Sequence, residues 1–434
     1  MRKRTPHHVL VSFAGQRLTH FGGVYLLQLF FKRLQLRKLL QRDVQFRQRN
    51  TRYNTAEEIL ALVYPIALSI GRIELTQLLK HNGVFHYLTG LARYPTPTTL
   101  RRFLFRMGST ALSRLRHLHD KLLAIMCVKP KLPSTMIFDL DSTVLVLYGK
   151  QEMAHVGYNP LKHGRPSYHP LLCFNALTKD FWHGELRAGD AHTATGTLLL
   201  LEAVFAKVPA SVKRIIMRAD KGFYDHRTIE YLESHHAFFA VIAKLTQPLK
   251  RKLSAVSYKT YASGIETGEL SYQPTNWKKA YRFIVVRRPL PDDATEQLSL
   301  FSLGRYTYQV IVTNLTLTPL NVWTFYNKRA AIELTIKELK NNYPLAKIPT
   351  KHFAANEAYF HILLFSYNLI NWFKRLCLPK EYQTMTLNTL RSRLLVIPGE
   401  LTRSGNRPTL KLPSSFVYKN DFQYAAKKIE KFKI

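Results

Sequence analysis

The sequence predicts a mixed α/β protein: an all-α N-terminal region, then an α/β core with a β-rich insertion. Three observations carry this. Residues 1–130 hold helix-type patterns with caps and breakers, whereas strand patterns begin at Thr135. From there the order is three strands, helix, strand, helix, followed by more strand signals up to Asn314. Then Trp323–Lys340, WTFYNKRAAIELTIKELK, holds no Pro or Gly and reads as one helix.

Composition bounds the function before any motif is read. A chain of 434 residues with 46% hydrophobic content has ample length for a sizeable core. Its 64 Lys and Arg against 28 Asp and Glu give +36. Such a charge calls for a polyanion, and DNA or RNA is the natural one. An aromatic fraction of 12% is too rich for a basic tail. The three cysteines, Cys127, Cys173 and Cys377, lie far apart, which argues against a disulfide framework or a structural zinc site and fits a cytoplasmic setting. Asn368, Asn371 and Lys374 interrupt the most apolar run, Ala358–Cys377, so a buried helix is expected and no membrane partner.

Within the N-terminal region, Val24–Leu40 alternates apolar and basic residues. Thr55–Glu58 has the form of a capping box ahead of ILALVYPIALSI. Short helices follow at Ile73–Leu79 and Phe85–Leu91. Pro95 and Pro97 then break the chain, and Thr98 is placed to cap a basic helix carrying Arg101, Arg102 and Arg106. Short helices, a turn and a basic helix suggest DNA contact in the manner of a helix-turn-helix, with a helical bundle bearing a solvated basic surface as the plainer alternative.

Pro130–Pro133 reads as a linker. The next stretch, MIFDLDSTVLVLYG, is the first strand. A basic loop, Gly157–Pro170, carries Lys162 and Arg165. HPLLCFNAL and FWHGELRAG are the second and third strands, Thr195–Val208 a helix, RIIMRAD the fourth strand, and Arg227–Ser234 the next helix, with Asp225 as its cap. Three strands before the first helix match a ribonuclease H-like core better than a doubly wound sheet, which alternates from the start. FFAVIAKL, YRFIVVRR and TYQVIVTN read as the strands of the insertion. Asn356–Arg375 is a long helix, Leu390–Leu412 a short basic segment, and AAKKIEKFKI a peripheral basic tail.

The chemistry sits on scarce acids. Asp141 lies in the first strand, a central one, Asp220 ends the fourth, and Glu333 lies on the Trp323–Lys340 helix. Carboxylates from a central strand, a strand end and a later helix are what a two-metal phosphoryl-transfer site needs, because hard oxygen ligands hold Mg²⁺ and paired ions serve the attacking and leaving oxygens. Asp139 shares the face of Asp141 and reads as an additional ligand or a solvated neighbour. On one continuous helix, Tyr326, Arg329, Glu333 and Lys340 fall within roughly a 60° sector, with Ile332, Ile336 and Leu339 beside it.

These residues carry a resemblance. Tyr326, Arg329, Glu333 and Lys340 match the spacing of the Y-R-E-K signature of bacterial insertion-sequence DDE transposases, the cut-and-paste group with a β-strand insertion in a ribonuclease H-like core. Asp141-Ser142-Thr143 resembles that family's first Asp motif, and Asp220-Lys221-Gly222-Phe223 its second, Asp-x-Gly followed by an aromatic. The resemblance implies that Asp141, Asp220 and Glu333 bind two Mg²⁺ ions, for which Mn²⁺ substitutes. It implies that Tyr326, Arg329 and Lys340 contact phosphates at the transposon end. The protein is then expected to bind double-stranded DNA at terminal inverted repeats, to cleave by hydrolysis, and to join the freed 3′-OH to target DNA by transesterification. A homodimer in the synaptic complex and a bacterial, nucleoid-associated cytoplasmic location follow from the same resemblance.

The expected organisation is a helical DNA-binding region over 1–130, the first part of the core over 131–236, the β-rich insertion over 237–314, the second part of the core with the Glu helix over 315–378, and a basic segment over 379–434. Two alternatives stay open: a metal-dependent nuclease or resolvase on the same fold, and a basic DNA-binding protein without chemistry.

Overall fold

The computed structural model describes residues 12, 17–46, 52–129, 131, 133–159, 162–261, 264–290, 302–303 and 305–433. Pro130 and Leu132 of the expected linker, Pro160 and Leu161 of the basic loop, and residues 291–300 of the expected insertion lie outside the described residues. The chain forms two compact units, Leu104–Trp372 and Met1–Phe103 with Phe373–Ile434.

The first unit is built on one large sheet. Its core elements are β1 (Thr135–Ser142), β2 (Leu171–Asn175), β3 (Phe181–Glu185), α1 (Thr197–Phe205), β4 (Arg214–Ala219), α2 (His226–Ser234) and β5 (Phe238–Ile242). The strand order is β3-β2-β1-β4-β5. The pairs β3/β2 and β2/β1 are antiparallel, and the pairs β1/β4 and β4/β5 parallel. This mixed order, with the second strand reversed, is the ribonuclease H-like core. β1 lies at its centre, so Phe138, Asp139, Leu140 and Asp141 are all buried rather than alternating with solvent.

Phe238–Ile242, read from the sequence with the inserted strands, is the fifth core strand. Its far edge would leave backbone groups unpaired. β6 (Glu266–Tyr272), β7 (Tyr281–Pro289) and β8 (Tyr306–Thr313) satisfy it: β8 pairs antiparallel with β5, and β7 and β6 follow outward. Among the described residues, the inserted strands, with short ones at Lys259–Thr260 and Ser302–Leu303, therefore extend the core sheet to ten. The Gly157–Pro170 stretch also differs from the expected loop. Pro166–Tyr168 is a strand, paired with Leu145–Val146 and His155–Val156 in a small separate sheet.

The expected single helix Trp323–Lys340 is two, α3 (Pro319–Asn327) and α4 (Ala330–Asn341). Lys328 and Arg329 keep right-handed helical angles, but the bonds tighten: Arg329 N–H donates to Tyr326 O and Ile332 N–H to Arg329 O, each three residues back. The Arg329 side chain is buried here against the sheet, donating to the Leu140 carbonyl at 3.0 Å. Propensity alone does not register that tertiary bond. α5 (Phe353–Cys377) follows, and its Asn368 bonds both backbone groups of Phe181 on β3.

In the other unit the helices form at Val24–Arg33, Leu36–Asp43, Thr55–Ala67 and Gly83–Thr89, with a 3₁₀ turn at Ile73–Leu79. The capping box is one residue earlier than the sequence suggests. Asn54 accepts from Glu57 N–H and Glu57 from Asn54 N–H, while Glu58 is buried. Likewise Thr96, not Thr98, caps the basic helix Pro97–Cys127: its hydroxyl accepts from Thr99 N–H, and Pro97 takes the first helical position, where no N–H is needed. Gly108 breaks that helix with φ 53°.

The N-terminal region is not wholly α. Leu18–Thr19 adds a short strand to a hairpin of Gly399–Ser404 and Arg407–Lys411. The C-terminal tail is not peripheral: Lys419–Lys431 is a helix that buries Ala425 and Ile429, and the Phe432 ring lies 5.9 Å from that of Phe30. Its apolar residues repeat every four positions, which hides them in a count dominated by Lys.

Candidate active site

The two aspartates are each positioned by a local device. Asp141 closes β1, and the Ser142 N–H donates to its Oδ1 at 2.8 Å. The Ser142 hydroxyl lies 3.2 Å from His169 Nε2 and 3.3 Å from the Thr193 hydroxyl. His169 Nδ1 sits 2.8 Å from the Ala191 carbonyl, which can only accept, so Nδ1 carries the proton and Nε2 accepts from Ser142. Burial lowers the pKa of His169, in keeping with a neutral ring. Asp220 follows β4 and accepts at Oδ1 from the Gly222 N–H at 2.8 Å. A Cβ on residue 222 would stand 3.0 Å from that same oxygen and 2.9 Å from Thr193 Cγ2. The Gly of Asp-x-Gly is thus required by close approach, not by backbone angles. Asp225 caps α2, as expected from the sequence, accepting from Arg227 and Thr228.

Asp141, Asp220, Glu333, Tyr326 and Arg329 line one cavity of about 390 Å³. Arg329 is its charge centre. Nη2 stands 3.2 Å from Asp141 Oδ1, and Nη1 3.7 Å from Glu333 Oε1. Asp141 is 8% exposed. Its burial pushes the carboxyl up to about 6, with Arg329 opposing and Asp220 and Glu333 adding to the rise. Glu333 is the open member, its side chain 68% exposed. Tyr326 is buried, which raises its phenol. Lys221, Tyr308 and Gln309 also line the cavity. The sequence reading missed them, although Lys221 adjoins Asp220 and was within reach of it.

The other expected site residues lie elsewhere. Lys340 is half-buried, and its ammonium donates to the Val144 carbonyl at 3.0 Å, in the turn after β1. Lys162 and Arg165 are exposed and flank the Tyr148 ring, at 5.1 and 6.0 Å from its centre. Arg106 is exposed on the same unit. Arg101 and Arg102 belong to the other unit, where Arg101 pairs with Glu74 and Arg102 is exposed. Asp139 is neither a solvated neighbour nor open to an ion. It is buried, and both oxygens accept from Arg218, at 2.7 and 2.9 Å.

Among the described residues, no three His, Cys, Asp or Glu side chains are gathered tightly enough to hold an ion as they stand. The donor chemistry nevertheless fits a hard divalent cation. Three carboxylates face one cavity, one is desolvated under like-charge pressure, one is exposed enough to swing, and a guanidinium supplies the positive charge between them.

Residues 2–434 match the family model described as "Transposase DDE domain group 1". The chain belongs to the DDE transposases. It is a DNA transposase of DDE type, and membership implies a divalent metal and DNA as substrate. No curated protein matches the sequence. Among solved structures it is similar to a piggyBac transposase synaptic complex with hairpin DNA, at 13% identity over 86% of this chain and 85% of that one, with a TM-score of 0.38. It is also similar to a Mos1 mariner paired-end complex with Mn, at 14% identity over 48% and 65% of the two chains, TM-score 0.19. A Mos1 paired-end complex with the left transposon end matches at 11% over 45% and 60%, TM-score 0.18. The transposase spans less than two thirds of either Mos1 chain, and at these scores none of the three likenesses speaks to its chemistry. Among the described residues no helix is long and apolar enough to cross a membrane.

Proposed function

We propose that this transposase binds the terminal inverted repeats of a bacterial insertion sequence, hydrolyses the phosphodiester at each end, and joins the freed 3′-OH to target DNA. The observation that carries the reading is the single cavity shared by Asp141, Asp220, Glu333, Tyr326 and Arg329. Asp141, Asp220 and Glu333 would hold two Mg²⁺ ions, or Mn²⁺ in their place. The bound cations supply Lewis acidity and counter-charge to the reacting phosphate.

The chain's own residues do the rest. Ser142 and Gly222 N–H groups aim two of the carboxylates. Arg329 neutralises them until the cations arrive, and then offers its guanidinium to a phosphate oxygen from the cavity wall, with the Tyr326 phenol beside it. Lys340 holds the turn after β1 through Val144 and contributes its charge to the end phosphates from there. Lys162 and Arg165, around Tyr148, contact the DNA backbone, as do Arg101, Arg102 and Arg106 from the helical region. In the joining step the O–P bond to the new strand forms as the target O–P bond breaks, so the number of phosphodiesters is conserved and no external energy is required. Two ends held together imply a homodimer.

The test is end-labelled DNA incubated with and without Mg²⁺, beside Asp141→Ala, Asp220→Ala and Glu333→Gln. Metal-dependent cleavage followed by joining, lost in all three variants with binding retained, is expected. Cleavage without joining would establish a nuclease instead, and binding with neither step a non-catalytic DNA-binding protein.

A further inference from the structure

One residue layer below the carboxylates lies an ion pair that the proposed strand chemistry leaves unused. Asp139 precedes Asp141 by two positions on β1, and Arg218, on β4, precedes by two the Asp220 that follows it. The strands run parallel, with Asp139 opposite Arg218 in register. Both side chains are 3% exposed. Arg218 Nε donates to Asp139 Oδ1 at 2.7 Å and Nη2 to Oδ2 at 2.9 Å. The remaining arm, Nη1, donates to the Phe325 carbonyl at 2.7 Å. Its guanidinium also lies 5.0 Å from the centre of the Phe325 ring. Phe325 adjoins Tyr326 near the end of α3, which passes through the tight turn at Lys328–Arg329 into α4 and Glu333.

We infer that Arg218 is a positioning residue for the carboxylate site: its planar fork sets the height of the α3–α4 segment over β1 and β4, and so the placement of Glu333 against Asp141 and Asp220. The inference rests on the reading of those three carboxylates as metal ligands. Ladder hydrogen bonds already fix the lateral spacing of β1 and β4. They do not fix a helix above the sheet; the Nη1 bond to Phe325 does so at the end of α3, as the Arg329 bond to Leu140 does at the start of α4. Stability is a poor reason for the pair, because replacing a buried ion pair with apolar residues of similar volume is often neutral or stabilising. A three-way geometric constraint is what an apolar pair does not provide.

The experiment measures Mn²⁺ affinity of the full chain by calorimetric titration, with thermal melting in parallel. The variants are Asp141→Ala, Arg218→Lys, and the double variant Asp139→Leu with Arg218→Met. The double variant is expected to melt at or above the parent temperature and yet bind Mn²⁺ about 10–100-fold more weakly, the range typical of lost outer-layer support. Arg218→Lys keeps the charge but loses the fork, and is expected to weaken Mn²⁺ about tenfold. If the double variant fails to fold, Arg218→Lys decides by the same measure. Affinity within about twofold of the parent in the folded Arg218 variants, with Asp141→Ala clearly weakened, would overturn the positioning role alone. Unchanged affinity in Asp141→Ala would overturn the metal-ligand reading itself.

Discussion

Arg329→Met removes the guanidinium from the centre of the carboxylate cavity while keeping the length of the side chain. The cost comes from the groups left behind. The Leu140 carbonyl loses a 3.0 Å donor inside the protein. The Asp141 carboxylate, 8% exposed, loses the cation 3.2 Å away. Breaking one side of a buried pair costs about 3–5 kcal/mol. The Glu333 arm adds nothing to this, since at 3.7 Å with a side chain 68% exposed it is screened by water. For a unit of this size, about 2–4 °C per kcal/mol translates the loss into a melting point roughly 6–20 °C lower in metal-free buffer. The assay is calorimetric or circular-dichroism melting with and without Mn²⁺. A cation that binds only the folded chain at about 100 times its dissociation constant adds about 2.7 kcal/mol to parent and variant alike, so Mn²⁺ should raise both melting points. A variant that melts within about 2 °C of the parent without metal would refute the reasoning, because Arg329 would then not be the counter-charge of a desolvated site.

Three further outcomes are expected. Gly222→Ala forces a Cβ to 3.0 Å from Asp220 Oδ1, so end cleavage should fall at least about tenfold with DNA binding kept; normal cleavage would show that Asp220 need not be held there. His119 is buried, accepts from Asn368 Nδ2 at 2.8 Å, and burial lowers its pKa to about 3. The unfolded chain protonates it near 6.5 and the folded chain does not, so its contribution is complete above about pH 6.5 and drains away below, by about 2 kcal/mol from pH 7 to 5. Urea midpoints at the two pH values should show that much less acid sensitivity in His119→Gln, and an identical pH dependence would remove His119 as the cause. Binding to element ends should weaken about a thousandfold between about 50 and 200 mM salt if the basic surface makes six or more phosphate contacts, and a flat response in filter binding would contradict the electrostatic account of the +36 charge.

The core was legible wherever local pattern and tertiary role agree. The strands β1 to β4 and the helices between them fall where alternation, caps and turn residues place them. The fifth strand was not, because FFAVIAKL and TYQVIVTN are both short apolar runs, and nothing local says that the first pairs parallel to β4 while the second pairs antiparallel to the first. The C-terminal hairpin carried a usable signal. Gly405 and Asn406 both adopt positive φ, 53° and 64°, as a tight two-residue hairpin turn demands, yet the stretch around them reads chiefly as basic. The small strand at Pro166–Tyr168 was hidden by its brevity and by Arg165 next to it, whereas Leu145–Val146 was read as a continuation of the first strand.

At the site, legibility stopped at one layer. Asp141, Asp220 and Glu333 are acids in a chain with few of them, and each falls in a motif with a fixed spacing, so sequence alone sets them apart. Arg329 and Lys340 stood out by their spacing from Tyr326 and Glu333, but a sector drawn on one ideal helix gives them a common outward direction. The tightened turn at Lys328–Arg329 instead accompanies a buried Arg329 bonded to Leu140, while Lys340 reaches Val144. The sign of a charge is written in the sequence and its partner is not. Arg218 and Asp139 make the point most sharply, since as residues 79 apart they look like one basic and one acidic strand position. Only the parallel register, in which Asp139 faces Arg218, turns the two into a pair directly beneath the carboxylates. The proposed site is therefore specified twice: by three acids that a motif can find, and by two arginines whose work depends on how strand and helix meet.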